Sequence, residues 1–190
     1  MKTIVLASQS PRRKQLLEWA EIPFVIYVRH ADETFPPGLS PDQVAIHIAR
    51  HKASVVQQHR SASETVLAAD TIVVLNGRII GKPAHREEAI AILTALAGEK
   101  HEVITGVSVR KGDQAIEFAD TTEVEFHPLT TEEIRFYVDK YQPYDKAGAY
   151  AIQEWIGVVG IKSIRGDFYN VMGLPVSRVV RALTSLDSQR

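Results

Sequence analysis

Two periodicities divide the chain. Through roughly the first hundred residues, short apolar runs alternate with segments whose apolar positions recur three and four residues apart. Further along, paired stretches alternate with period two. Thr3 to Ala7 is a β-branched apolar run that predicts a buried strand. Ser10 then suits an N-cap and Pro11 a first helical position, with the helical spacing continuing through Lys14 to Ala20. Phe24 to Val28 predicts a second strand, followed by a polar loop from Arg29 to Leu39. Ser40 and Gln43 stand at capping-box spacing and open a long helix to about His59. Thr65 to Leu75 is a continuous apolar strand interrupted by Asp70. Asn76-Gly77 is a hairpin turn, and Arg78 to Ile80 returns from it. Glu87 to Ala97 predicts an amphipathic helix stopped by Gly98. Glu102 to Arg110 and Ala115 to Phe126 predict strands joined at Lys111-Gly112-Asp113, and Thr130 or Thr131 caps a helix to about Lys140. Val158 to Ile164 suggests a strand, and Leu174 to Leu186 a final helix with Pro175 in its first turn. Helices and strands alternate early while hairpins dominate the middle, which predicts an α/β protein with a mixed sheet rather than a purely doubly wound one.

Composition narrows the class. The 190 residues suffice for one sizeable core, folded as two lobes around a cleft, and no repeat or linker breaks residues 1–190 into separate domains. The net charge of −1 argues against a nucleic-acid surface, because such domains carry a basic excess. The absence of cysteine excludes disulfides, thiolate nucleophiles and cysteine-ligated zinc. No apolar run approaches membrane-spanning length and no leader pattern opens the chain, so a cytoplasmic protein without membrane contact is expected.

The candidate chemistry starts at Ser8-Gln9-Ser10-Pro11-Arg12-Arg13, where a strand hands over to a helix N-terminus. Free N–H groups and a partial positive charge there suit anionic oxygens, whereas two adjacent arginines in the first turn oppose the helix dipole and are hard to justify by stability. A bound polyphosphate would justify them. Asp70 shares a strand face with Val66, Ala68, Ile72 and Val74, where an ionised carboxylate is costly without a cation or several hydrogen bonds. Lys82, in Gly81-Lys82-Pro83, is a candidate cation. A two-residue Asn76-Gly77 loop pairs Leu75 with Arg78 and would make Lys82 the cross-strand neighbour of Thr71. Asp32-Glu33 offers two acids that, with substrate phosphates, could hold a hard divalent ion. His47 and His51 have metal-like spacing but lack the glutamate of a zinc-protease motif, and read as a solvated helix face. No Gly-x-Gly-x-x-Gly follows the first strand, and no P-loop motif occurs anywhere.

Taken in order, Ser8 to Arg13, Asp32-Glu33, Lys52-Ala53, Ala68-Ala69-Asp70-Thr71, Gly81-Lys82-Pro83 and Asp145-Lys146-Ala147-Gly148-Ala149-Tyr150-Ala151-Ile152-Gln153 resemble the Maf family of nucleotide pyrophosphatases. Each motif is weak alone; six in order from the first strand to the last helix are specific. The resemblance implies a fold similar to the inosine-triphosphate pyrophosphatases: an elongated mixed β-sheet with flanking helices, two lobes and a cleft, commonly in a homodimer. It also implies hydrolysis of a nucleoside triphosphate to monophosphate and pyrophosphate, with Mg²⁺ or Mn²⁺ as cofactor, as nucleotide-pool house-cleaning linked to cell-division arrest.

In that reading Ser8, Arg12, Arg13, Lys52 and Lys82 bind the phosphate chain, and Glu33 and Asp70 hold the ion. Asp70 is the general base, though residue types leave open whether it mainly takes the proton or mainly binds metal. The segment ending in Gln153 looks like the subfamily acting on dTTP and UTP. The resemblance places Arg12 and Thr71 with Gln153 among the positions that set specificity. A glutamine carboxamide matches O4 and N3–H of uracil or thymine, and cytosine presents the reverse pattern. Two competing readings are a non-catalytic nucleotide-sensing regulator of cell division and the same reaction on a modified purine nucleotide.

Overall fold

In the computed structural model, which describes residues 2–188, the strands form one seven-stranded sheet ordered β2-β1-β3-β5-β6-β7, with β4 paired to β3. Its first strand, β1 (Ile4–Leu6), is buried along its whole length and lies parallel to both β2 (Phe24–Ile26) and β3 (Val66–Leu75). Parallel neighbours need a crossover, and α1 (Pro11–Trp19) and α2 (Pro41–Gln57) supply it. At the start of α2 the Gln43 side chain accepts the Ser40 N–H at 3.0 Å, and the helix buries Val44, Ala45, Ile48, Ala49, Ala53 and Val56. The later strands follow hairpins. Asn76-Gly77 joins β3 to antiparallel β4 (Arg78–Ile80), with Leu75 opposite Arg78 as the two-residue turn predicts. Gly112-Asp113 joins β5 (Lys100–Lys111) to β6 (Gln114–Phe126).

The chain divides into two compact units. The first takes the residues up to Thr71, Thr105–Asp120 and the residues from Gly173 onward; the second takes Ile72–Ile104 and Thr121–Met172. The first unit packs Val5, Ala7, Val66 and Ala68 against Ala53 and Val56 of α2, with Tyr27 laid over them. Close approach decides its geometry at Gly106, where an added Cβ would fall 2.1 Å from the Ala45 carbonyl carbon, so α2 rests directly on the backbone of β5. The last helix, α7 (Val176–Ser188), completes this unit and buries Val179, Ala182, Leu183 and Leu186.

The second unit packs α3 (Arg86–Leu96) and α4 (Thr131–Tyr141) together through buried Ala89, Leu93, Leu96, Ile134, Tyr137 and Val138. Thr130 caps α4: its hydroxyl accepts the Glu133 N–H at 3.2 Å while Glu133 accepts the Thr130 N–H at 2.7 Å.

One expectation needs correction here. Val158 and Val159 lie in α5 (Trp155–Gly160), and the strand expected from Val158 begins only at Ile161, as β7 (Ile161–Arg165), antiparallel to β6. The Glu154 carbonyl accepts from both Gly157 and Val158, and that closed turn outweighs the β-branched side chains' preference for extended backbone. A short helix, α6 (Phe168–Met172), was not expected at all. The Asp167 side chain accepts the Tyr169 N–H at 2.8 Å and its carbonyl accepts from Val171.

Candidate active site

The corner between β1 and α1 is held by side chains rather than by a conventional cap. The Ser10 side chain makes no capping bond; instead the buried Ser8 hydroxyl accepts the Ser10 N–H at 3.2 Å. The same hydroxyl accepts from Arg13 Nη1 at 3.2 Å. Arg13 also donates from Nη2 to Thr71 Oγ1 at 3.0 Å and from Nε to the Gly173 carbonyl at 2.8 Å. Thr71 and Thr105 hydroxyls meet at 2.9 Å behind it. Burial pushes the Arg13 guanidinium down from its ordinary pKa and Arg12 adds to that, while the nearby charges of Asp70 and Glu33 act against it. Arg13 therefore braces the corner and at the same time supplies it with positive charge. The adjacent Arg12 is half-buried and contributes to the same field.

A second cluster centres on Lys52 of α2. Its ammonium lies 2.7 Å from Asp70 Oδ1 and 2.7 Å from Glu33 Oε1. Asp70 and Thr71 are the only interruption in an otherwise buried β3, with Val66 to Ala69 before them and Ile72 to Leu75 after. Because successive strand residues face opposite sides, Thr71 reaches Arg13 and Asp70 reaches Lys52. The cation beside Asp70 is Lys52. The paired register ends at Val73 and Ile80, and Lys82 lies two residues beyond β4, exposed, in the second unit. The Asp70 side chain is 13% exposed, that of Lys52 19% and that of Glu33 50%, so the carboxylates are held without being sealed.

Asp32 does not join this cluster. It is 75% exposed and 3.4 Å from the still more exposed His30. Among the described residues no group of three or more His, Cys, Asp or Glu could hold a metal ion, His47 and His51 included. Glu33 and Asp70 nevertheless converge on a single positive charge and offer hard oxygen donors. That donor set suits a divalent ion completing its shell with phosphate oxygens and water rather than one held in an all-protein cage.

The second unit contains Lys82 and Gln153. Gln153 is exposed, in the link between a 3₁₀ turn at Ala147–Ala149 and α5. Sequence reasoning missed the partners that orient these groups. Thr105 and the Gly173 carbonyl fix Arg13 and Thr71, and Tyr137 bonds to Ala151 and Glu154, the residues two before and one after Gln153. A backbone carbonyl has no sequence signature, and a tyrosine on a helix reads as apolar core.

The Maf-like protein family profile matches residues 3–186. A dTTP/UTP pyrophosphatase of Halalkalibacterium halodurans is 50% identical over 184 residues, covering 96% of this chain and 95% of the relative. One of Bacteroides thetaiotaomicron is 45% identical with the same coverage, and one of Bacillus mycoides is 46% identical over 188 residues, 99% and 97% of the two chains. Among solved structures, a HAM1 protein from Coxiella burnetii superimposes with a TM-score of 0.50 at 19% identity, covering 97% of this chain and 100% of the other. That likeness is one of fold.

Proposed function

Because the chain belongs to the Maf-like protein family, we propose that it is a nucleoside triphosphate pyrophosphatase hydrolysing dTTP and UTP, as the names of its relatives indicate for them. The observation that carries the reading is Lys52 bridging Glu33 and Asp70, with the guanidinium of Arg13 responding to both carboxylates. Opposite charges of this density, partly open to solvent, suit a ligand that is itself a polyanion accompanied by a cation.

In this mechanism Ser8, Arg12 and Arg13 at the corner, together with Lys52 and Lys82, bind the phosphate chain. Fixed donors of this kind act most strongly as charge builds on the leaving pyrophosphate. Asp70, oriented by Lys52 at Oδ1, takes the proton of the attacking water. Oxygen then bonds to the α-phosphorus, the bond to the bridging oxygen breaks, and pyrophosphate leaves with that electron pair. Glu33 and Asp70 would hold Mg²⁺ or Mn²⁺, which when bound supplies charge neutralisation on the phosphate oxygens. Gln153 reads the base through its carboxamide, and Arg12 and Thr71 contribute to the choice. Thr71 does so from a position fixed by Arg13 and Thr105.

The role that follows is removal of unwanted pyrimidine triphosphates from the nucleotide pool, in the cytoplasm, by a homodimer; sedimentation velocity tests the dimer. No helix among the described residues is long and apolar enough to cross a membrane. Incubation with dTTP or UTP and Mg²⁺ should release pyrophosphate and the monophosphate. Orthophosphate as first product, or no turnover of either nucleotide, would refute the assignment.

A further inference from the structure

We propose that Tyr137 is a positioning residue for base selection, acting through the turn that presents Gln153; this rests on the reading of Gln153 as the group that recognises the base. Tyr137 sits on the buried face of α4 with Ile134 and Val138, and its ring stacks on Tyr141 at 4.9 Å between centroids. Its hydroxyl does not end in apolar surroundings. It accepts the Ala151 N–H at 3.2 Å and donates to Glu154 Oε2.

Ala151 and Glu154 are the two ends of one tight turn, closed by the Glu154 N–H donating to the Ala151 carbonyl at 3.0 Å. A single phenolic oxygen, donor and acceptor at once, therefore ties the first and last residues of a four-residue turn to a helix. Of the two central residues, Ile152 is buried and Gln153 is exposed.

Two further contacts fix the same turn. The other oxygen of Glu154 faces the buried ammonium of Lys146 at 3.6 Å, and Lys146 is paired with Asp145 at 2.8 Å. Gly157, in the first turn of α5, packs so closely that a Cβ there would lie 1.7 Å from the Ile152 carbonyl oxygen. The backbone on both sides of Gln153 is thus held by a hydroxyl, a salt-bridged carboxylate and a glycine contact, and the Gln153 side chain leads out from it.

This arrangement meets a requirement of the chemistry. A carboxamide distinguishes the O4/N3–H edge of uracil from the reversed edge of cytosine only while its own donor and acceptor keep their order. Orientation of the turn, and not the identity of Gln153 alone, then sets the discrimination. Removing the hydroxyl frees both turn ends while leaving the ring and its packing in place.

The test is the ratio of kcat/KM for UTP to that for CTP in the full-length protein. Tyr137→Phe should lower this ratio about tenfold, the scale of one hydrogen bond, through a higher KM for UTP with kcat within about threefold. Glu154→Gln, which keeps an oxygen for the Tyr137 hydroxyl, should retain the ratio, and Glu154→Ala should lose it. Tyr137→Phe combined with Gln153→Ala should be no less selective than Gln153→Ala alone, because the two act through one group. A reduced melting temperature in Tyr137→Phe with an unchanged ratio, while Gln153→Ala loses it, overturns the positioning role and leaves Gln153 as reader. An unchanged ratio in Gln153→Ala instead overturns the reading of Gln153, and the role of Tyr137 with it. Should Tyr137→Phe not fold, Glu154→Ala against Glu154→Gln decides the same question.

Discussion

In the first unit Lys52 faces two carboxylates that keep some access to solvent, and Arg13 gathers a hydroxyl, a second hydroxyl and a carbonyl. In the second unit one buried polar pair is neutral and sealed. His101 Nε2 and the Tyr150 hydroxyl meet at 2.7 Å, and Phe126 stacks on the histidine while meeting the tyrosine edge-on. Burial lowers the pKa of His101 to about 4 and raises that of Tyr150, so each is held uncharged at neutral pH.

The contrast shows two uses of buried polarity. Ion pairs with residual solvent access can exchange partners, so a phosphate can take Lys52 and a cation can take the carboxylates without leaving a bare charge behind. Neutral hydrogen bonds in an aromatic setting have no such alternative partners, and they keep a segment in one conformation. The first arrangement suits chemistry; the second suits a fixed frame.

The comparison is tested most strongly at Asp70. Asp70→Asn keeps size and shape but removes the negative charge that faces Lys52. Turnover of dTTP should fall by about 10³-fold, in the range for loss of a general base, while binding of the nucleotide persists. Equal losses of binding and turnover would mean that the cluster is a scaffold and not a reacting centre.

The next effect belongs to the neutral region. His101 is lowered from 6.5 to about 4 by burial, so the unfolded chain takes up the proton first as pH falls. The stability contributed by the neutral ring is complete above pH 6.5 and is lost progressively down to about pH 4, amounting to about 3 kcal/mol. Urea unfolding at intervals across that window should show the loss, and His101→Gln should flatten the slope. A slope indifferent to the substitution would show that His101 is not held neutral.

The smallest effects separate two neighbouring acids. Glu33→Gln removes a carboxylate bound to Lys52 and should cost about 10- to 100-fold in kcat/KM, the scale reported for partners that tune a metal site. Asp32→Asn alters only a solvated pair with His30 and should stay within about twofold. Similar losses in both would erase the distinction between a converging and a solvated carboxylate.

Legibility followed distance along the chain. The strand-to-helix corner at Ser8 to Arg13, the Asn76-Gly77 hairpin and the capping box at Ser40 and Gln43 are decided by neighbours within a few residues, and all were readable. Asp70 was conspicuous because a carboxylate in an apolar strand violates the local pattern. The contact of its carboxylate with Lys52 was not legible, since it depends on how α2 packs against β3. Val158 and Val159 show the same limit, as their β-branched pattern gave way to a turn closed at Glu154.

What the amino-acid order determined alone was the set of elements with strong local periodicity, the absence of thiol chemistry, and the residue types able to meet a polyphosphate, because each depends on side chains and short-range backbone preference. Tertiary structure alone decided which charges meet. The Lys52 ammonium between Glu33 and Asp70, the Gly173 carbonyl on Arg13 and the Tyr137 hydroxyl on the Gln153 turn are all contacts between distant segments. Their cost and benefit arise only once desolvation makes each polar group depend on the partner that packing supplies.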